Sequence, residues 1–245
     1  MERLRQGARQ MGIELTEEQL TCFRRFSDLL LEWNRRFNLT AMDSPEQVEV
    51  RHFLDSLSCL TVLSQLASEE GAPHLSTSPA AIDVGTGAGF PGLALKIAWP
   101  ALRLTLLEAT GKKVRFLEHV IAELGLRNVI AIHGRAEELA HQPEHRAVYD
   151  LALARAVASL SPLLELTLPF LRLHGWLLAW KGPAAAAEAM ASERALAVLG
   201  GRLHCIFPVE VPYLAEERFI VAVQKAHPTP EQFPRRAGVP VRRPL

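Results

Sequence analysis

Apolar residues in the first quarter of the chain recur at helical spacing. From Thr16 onward, Leu20, Phe23, Ser27, Leu30, Trp33 and Phe37 share one face, Thr16 and Gln19 have the spacing of a capping box, and Arg24, Arg25, Arg35 and Arg36 fall opposite. A second helical stretch is expected from Pro45 to about Leu66, where Val48, Phe53, Leu57, Leu60 and Leu63 keep the same rough period. Ser68 to Pro79, rich in Ser, Gly and Pro, reads as a linker. From Ala80 the pattern changes to alternating strand-like and helix-like runs, the signature of βαβ units around a mostly parallel sheet. Strands are expected at 80–84, 102–108, 129–133, 149–154 and 175–180, with helices beginning near Pro91, Gly111, Ala136, Ser159 and Pro183. Two last strands, 202–211 and 217–225, have only a short turn between them and must pair antiparallel.

The pattern therefore predicts an α/β fold: a seven-stranded, mostly parallel sheet ending in an antiparallel hairpin, unlike the symmetric dinucleotide fold. It divides the chain into a helical N-terminal subdomain (1–72), a sheet domain (80–226) and a tail (227–245). The tail carries five prolines and Arg235, Arg236, Arg242 and Arg243 against one acid, Glu231, and is expected to be a basic extended arm.

Composition changes this picture little. The 245 residues are 49% hydrophobic and 22% charged, ordinary for a globular chain, and Lys+Arg and Asp+Glu balance at 27 each. Attraction to nucleic acid must then come from local basic patches. Cys22, Cys59 and Cys205 are widely spaced and suggest neither a disulfide framework nor a metal site. The polar N-terminus, and the interruption of the most apolar run by Glu165 and Arg172, argue against a signal peptide or membrane span, so a cytoplasmic location is expected.

The chemistry-bearing segment is Asp83-Val84-Gly85-Thr86-Gly87-Ala88-Gly89-Phe90-Pro91-Gly92, at the turn from the first strand into the first helix. Such glycines let the backbone approach a ligand closely. Gly87, Gly89 and Gly92 also satisfy the dinucleotide pattern GxGxxG, so a NAD-linked dehydrogenase is a rival reading. Asp83 just ahead of the loop favours a sulfonium such as that of S-adenosylmethionine over a pyrophosphate. Glu108 ends the second strand, where a carboxylate accepts ribose hydroxyls, and Ala136 and Glu137 follow the third, where an adenine edge is read. Arg155 follows the fourth strand, with no Asn-Pro-Pro-aromatic set and no Pro-Cys nucleophile beside it. An acceptor with its own lone pair, such as guanine N7, needs neither a base nor covalent activation. Arg155 is therefore expected to position cofactor or acceptor. His52, Asp55 and Ser56 on one helix cannot form a hydrolase triad, and a non-catalytic nucleotide-sensing RNA-binding module is a second rival.

Motifs along nearly the whole chain resemble the bacterial 16S ribosomal RNA guanine-N7 methyltransferases, the methyltransferase G or glucose-inhibited division protein B family. They are Trp33-Asn34, Asn38-Leu39-Thr40, Arg51-His52 with Asp55-Ser56-Leu57, the glycine segment, Lys112-Lys113, Phe116-Leu117, Gly134-Arg135-Ala136-Glu137, Arg155-Ala156, Lys181-Gly182, Pro234-Arg235, Gly238 and Pro244-Leu245. The resemblance implies a Rossmann-like class I methyltransferase fold and S-adenosylmethionine contacts from Gly85, Phe90, Glu108, Ala109, Thr110, Ala136, Glu137 and Arg155. The loop reading adds Asp83, Gly87 and Gly89. Where many relatives carry a serine, this chain has Ala109-Thr110. The implied acceptor is a guanine in the decoding-region loop of 16S rRNA, within an assembled or assembling small subunit, without a metal. RNA contacts are expected from Asn38, Arg51, His52, Asp55, Lys181, Arg235, Arg236, Arg242 and Arg243, and the protein is expected to act as a monomer.

Overall fold

The computed structural model describes residues 1–68 and 77–245. Strands β1 (Ala80–Val84), β2 (Arg103–Glu108), β3 (Val129–His133), β4 (Tyr149–Arg155), β5 (Leu171–Lys181), β6 (Gly201–Val209) and β7 (Arg218–Lys225) form one sheet in the order β3-β2-β1-β4-β5-β7-β6. All neighbours run parallel except β7, which lies antiparallel between β5 and β6. This is the expected Rossmann-like methyltransferase sheet with its closing hairpin. The chain leaves β1 in one direction and returns to β4 on its other side, so a crevice opens between the carboxyl ends of these two strands.

Helices cover both faces, and each face has its own apolar core. The helices Gly92–Ala98 and Gly111–Glu123 share their face with the N-terminal helices, through Phe23, Phe26, Phe53, Phe90 and Phe116. Phe26 stacks on Phe90 at 5.1 Å and Phe23 tilts against Phe53 at 4.8 Å. Large aromatic areas bury best together, so the N-terminal helices hold the glycine segment from behind. The linker expected at 68–79 falls mostly on 69–76, outside the described residues.

The elements differ locally from those expected. A helix at Glu2–Gln10 escapes the polar pattern because buried Glu49 holds it, accepting from the Met1 ammonium at 2.7 Å and the Leu4 N–H at 2.9 Å. The second helical stretch is not regular: Pro45–Gln47 passes into a π-helical turn, Val48–Leu54, then Asp55–Leu57 and Cys59–Ser68. Such widened turns concentrate at functional sites. The helix expected from Pro183 is two, Ala185–Met190 and Glu193–Leu199.

The tail is not an extended arm. Phe233 is buried, Val239–Arg242 is a turn of helix, and the Arg235 backbone N–H and guanidinium both bind the buried Glu165 carboxylate, at 2.7 and 2.6 Å. A carboxylate buried on the helix Leu160–Thr167 needs a partner, and Arg235 supplies it.

Candidate active site

The glycine segment is built around two carboxylates. Asp83 is fully buried, and its Oδ2 accepts the Thr86 hydroxyl at 2.6 Å and the Gly92 N–H at 2.8 Å, tying together both ends of the loop. Its Oδ1 has no hydrogen-bond partner among the described residues. Burial pushes this carboxyl up to about 6, against the pull of the Thr86 and Gly92 hydrogen bonds. Glu108 joins the loop to the next one: Oε2 accepts the Gly87 N–H at 2.9 Å and Oε1 the Thr110 N–H at 2.8 Å. Gly87 has φ +63°, and a Cβ there would meet nothing closer than the Gly85 carbonyl at 4.0 Å, so the loop backbone faces open space.

Two recesses flank this loop. One, of about 210 Å³, is walled by Gly85, Ala109, Ala136, Glu137 and Val157, with Gly238 and Val241 arriving from the tail. The other, of about 420 Å³, is lined by Arg51, His52, Asp55, Arg155, Lys181 and Arg218 and lies where β4 and the π-helical turn meet.

Arg155 organises the second recess. Its guanidinium donates to Asp55 Oδ2 at 2.6 Å, the Arg51 carbonyl at 3.0 Å and His52 Nδ1 at 2.9 Å, and it sits 5.4 Å from the Phe90 ring centroid. Only the planar fork of an arginine serves these directions at once. Because Nδ1 accepts, His52 carries its proton on Nε2, which donates to Thr40 Oγ1 at 2.7 Å. The imidazole stacks on Phe90 at 4.3 Å with only 8° between the planes. Burial, helped by the Arg155 charge, lowers its pKa from 6.5 to about 3, so it stays neutral. Asp55 also faces Arg218, Nε to Oδ1 3.4 Å, and its carbonyl accepts the Trp180 indole N–H at 2.8 Å.

A family model for rRNA small subunit methyltransferase G matches residues 19–212. The chain belongs to this family. Proteins named ribosomal RNA small subunit methyltransferase G resemble it end to end: that of Desulforamulus reducens is 40% identical over 242 residues, covering 99% of this chain and 97% of its own. That of a Roseiflexus species is 43% identical over 245 residues, covering all of both chains. Among solved structures, a SAM dependent methyltransferase from Aquifex aeolicus shares the fold at 18% identity and TM-score 0.52, over 77% of this chain and 97% of that one.

In this member of the methyltransferase G family, the expected residues separate into groups. Gly85, Ala109, Ala136 and Glu137 line the smaller recess. Gly87, Glu108 and Thr110 are joined by the Glu108 hydrogen bonds. Arg51, His52, Asp55, Arg155 and Lys181 line the larger one. Asp83 lies beneath the loop rather than at its surface, and Gly89 and Phe90 are likewise buried. Phe90 reaches the larger recess only through His52 and Arg155. Lys181 is held by the Ala158 carbonyl at 2.6 Å and Glu188 at 2.7 Å, so it fixes the segment after β4 as well as facing the recess. Asn38 is an exposed left-handed cap ending the helix Glu17–Phe37. Arg236, Arg242 and Arg243 are exposed, whereas Arg235 is spent on Glu165.

Sequence reasoning missed Thr40, Trp180, Arg218, Gly238 and Val241 as site residues. Thr40 carried a signal in the Asn34 and Asn38-Leu39-Thr40 motifs: Asn34 Oδ1 accepts the Leu39 and Thr40 N–H groups at 2.7 and 2.9 Å and shapes the loop that brings Thr40 to His52. Gly238 also stood among the motifs, without a role assigned to it, whereas Trp180, Arg218 and Val241 carried no signal.

Proposed function

We propose that this chain transfers the methyl group of S-adenosylmethionine to N7 of a guanine in the decoding-region loop of 16S ribosomal RNA. It acts in the cytoplasm, as a monomer, on the small subunit or its precursor. S-adenosylmethionine supplies a methyl carbon activated by an adjacent sulfonium. The residues present fit it: an open backbone at Gly87, Glu108 at the end of β2, an apolar recess beside them, and a buried Asp83 with one unpaired oxygen. A pyrophosphate on the same loop would lie close to two carboxylates, Glu108 beside it and Asp83 beneath it, which disfavours a dinucleotide.

The observation that carries the acceptor assignment is the lack of a free base or nucleophile lining the larger recess. Its one imidazole has both nitrogens bonded and is neutral, and its one carboxylate is paired with Arg155 and Arg218. Among the described residues, neither cysteine nor serine lines it. Guanine N7 brings its own lone pair, so positioning suffices. Arg51, Arg155, Lys181 and Arg218 make the recess basic, as a phosphate-bearing substrate requires. Asn38, Arg236, Arg242 and Arg243, with Arg24, Arg35 and Arg36 on the exposed helix face, extend the RNA track.

The test uses small subunits from cells lacking the gene. Incubation with labelled S-adenosylmethionine is expected to put one methyl on a decoding-region guanine, located at N7 by mass spectrometry. Methylation of another base or atom, or no incorporation by protein that binds NAD, would overturn the proposal.

A further inference from the structure

We infer that the C-terminal segment 233–245 forms the outer wall of the pocket for the adenosine part of the cofactor, with Val241 touching it and Gly238 positioning Glu137. The inference rests on the proposed S-adenosylmethionine site and adds residues that no motif assigned to the cofactor. The sheet loops supply Gly85, Ala109, Ala136 and Val157 to the smaller recess, and the tail supplies Gly238 and Val241.

Gly238 donates its N–H to Glu137 Oε1 at 2.9 Å. Its φ of +77° is left-handed, and a Cβ there would lie 3.0 Å from the Arg242 guanidinium, so the donor position favours glycine. Glu137 is buried, and this hydrogen bond fixes one of its oxygens beside the recess. The tail and the helix carrying Glu137 (Ala136–Leu139) are also joined through two side chains. Arg146 donates to the Ala140 carbonyl at that helix end and to the Phe233 carbonyl, both at 2.9 Å, and His141 donates to the Pro234 carbonyl at 2.9 Å. Together with the Arg235–Glu165 pair, these bonds make the tail a fixed wall.

Val241 is 55% exposed on a four-residue helix at the rim. Folding does not use this apolar surface, and a purine lying in the recess would cover it. Arg236 and Arg243 are exposed on the same segment, so it serves two separable tasks: cofactor affinity through Val241 and Gly238, RNA attraction through Arg236 and Arg243.

The decisive experiment measures S-adenosylhomocysteine and adenosine binding by calorimetry, and KM for S-adenosylmethionine and for small subunits, in full-length Val241→Gln and in a chain ending at Ala237. Val241→Gln is a surface substitution and is expected to fold normally, so a truncated chain that fails to fold leaves the test standing. Both ligands are expected to bind Val241→Gln about ten-fold more weakly. KM for the cofactor should rise in parallel, with KM for subunits and kcat at saturating cofactor unchanged, a split that general destabilisation does not produce. Affinity within two-fold of wild type in Val241→Gln overturns the inference while leaving the site reading intact. A wild-type chain that takes up neither ligand overturns both.

Discussion

Replacing Arg155 tests the site most directly. Arg155 and Asp55 form an ion pair at 2.6 Å with side chains 13% and 5% exposed. Among the described residues, Arg155→Ala leaves the buried carboxylate with Arg218 as its one remaining cation, 3.4 Å from the other oxygen. Stranding one partner of a buried pair costs about 3–5 kcal/mol, and Arg218 offsets part of this, so a loss of about 3 kcal/mol is expected. For a chain of this length that lowers Tm by about 6–12 °C. Asp55→Asn combined with Arg155→Ala removes the stranded charge and should recover at least about 1 kcal/mol of the loss, appearing as non-additivity in a double-mutant cycle. Arg155→Lys keeps the charge but not the fork, and should still disturb His52 and the Arg51 carbonyl. Urea unfolding of wild type, Asp55→Asn, Arg155→Ala and the double variant measures the cycle. Methyl transfer to small subunits, assayed well below each Tm, should fall far more than S-adenosylhomocysteine affinity. An Arg155→Ala protein as stable as wild type, with coupling below about 0.5 kcal/mol, would refute the reasoning.

Three further outcomes follow from the same geometry. The Asp83 carboxyl is raised from 3.8 to about 6, so its neutral form contributes stability that is complete below pH 3.8 and lost as pH rises through 6. Asp83→Asn should therefore gain Tm relative to wild type between about pH 4 and 6 while weakening S-adenosylhomocysteine binding; a constant difference in Tm across that window counts against it. Buried Lys225 donates to the Leu168 carbonyl at 2.8 Å and has no carboxylate partner among the described residues, and burial lowers its pKa from 10.5 to about 7. The unfolded chain then binds the extra proton, so stability should rise with pH between about 7 and 10.5, by at most about 1.4 kcal/mol per unit, and Lys225→Met should flatten that slope in denaturant titrations. In the tail, Arg236→Ala, Arg242→Ala and Arg243→Ala should weaken RNA binding and lower its log–log salt slope by about 0.7 for each phosphate no longer neutralised. Arg235→Ala should instead lower Tm, because it strands Glu165; an RNA defect in Arg235→Ala with unchanged Tm would contradict the packed tail.

The sheet was legible because each strand writes its own local signal. β4 is an apolar run buried on both faces, and β6 and β7 are too close in sequence for a crossover. The Thr16 capping box was equally local and is present as read. The glycine segment was legible for the same reason: its turn, its preceding acid and the acid ending β2 are set by spacing within one βαβ unit.

What sequence alone determined, then, is the order of elements, the glycine loop at the first strand end, and the family. Tertiary structure decided how those parts meet. Arg155 and Asp55 are 100 residues apart, and Glu137 and Gly238 are 101 apart. No local periodicity encodes such pairs, because they exist only once the sheet has brought distant segments together. The tail shows the physical reason most plainly. Its prolines and arginines read locally as a solvated arm, yet the cost of leaving Glu165 buried and unpaired draws Arg235 inward, and the rest of the segment follows it to the rim of the smaller recess.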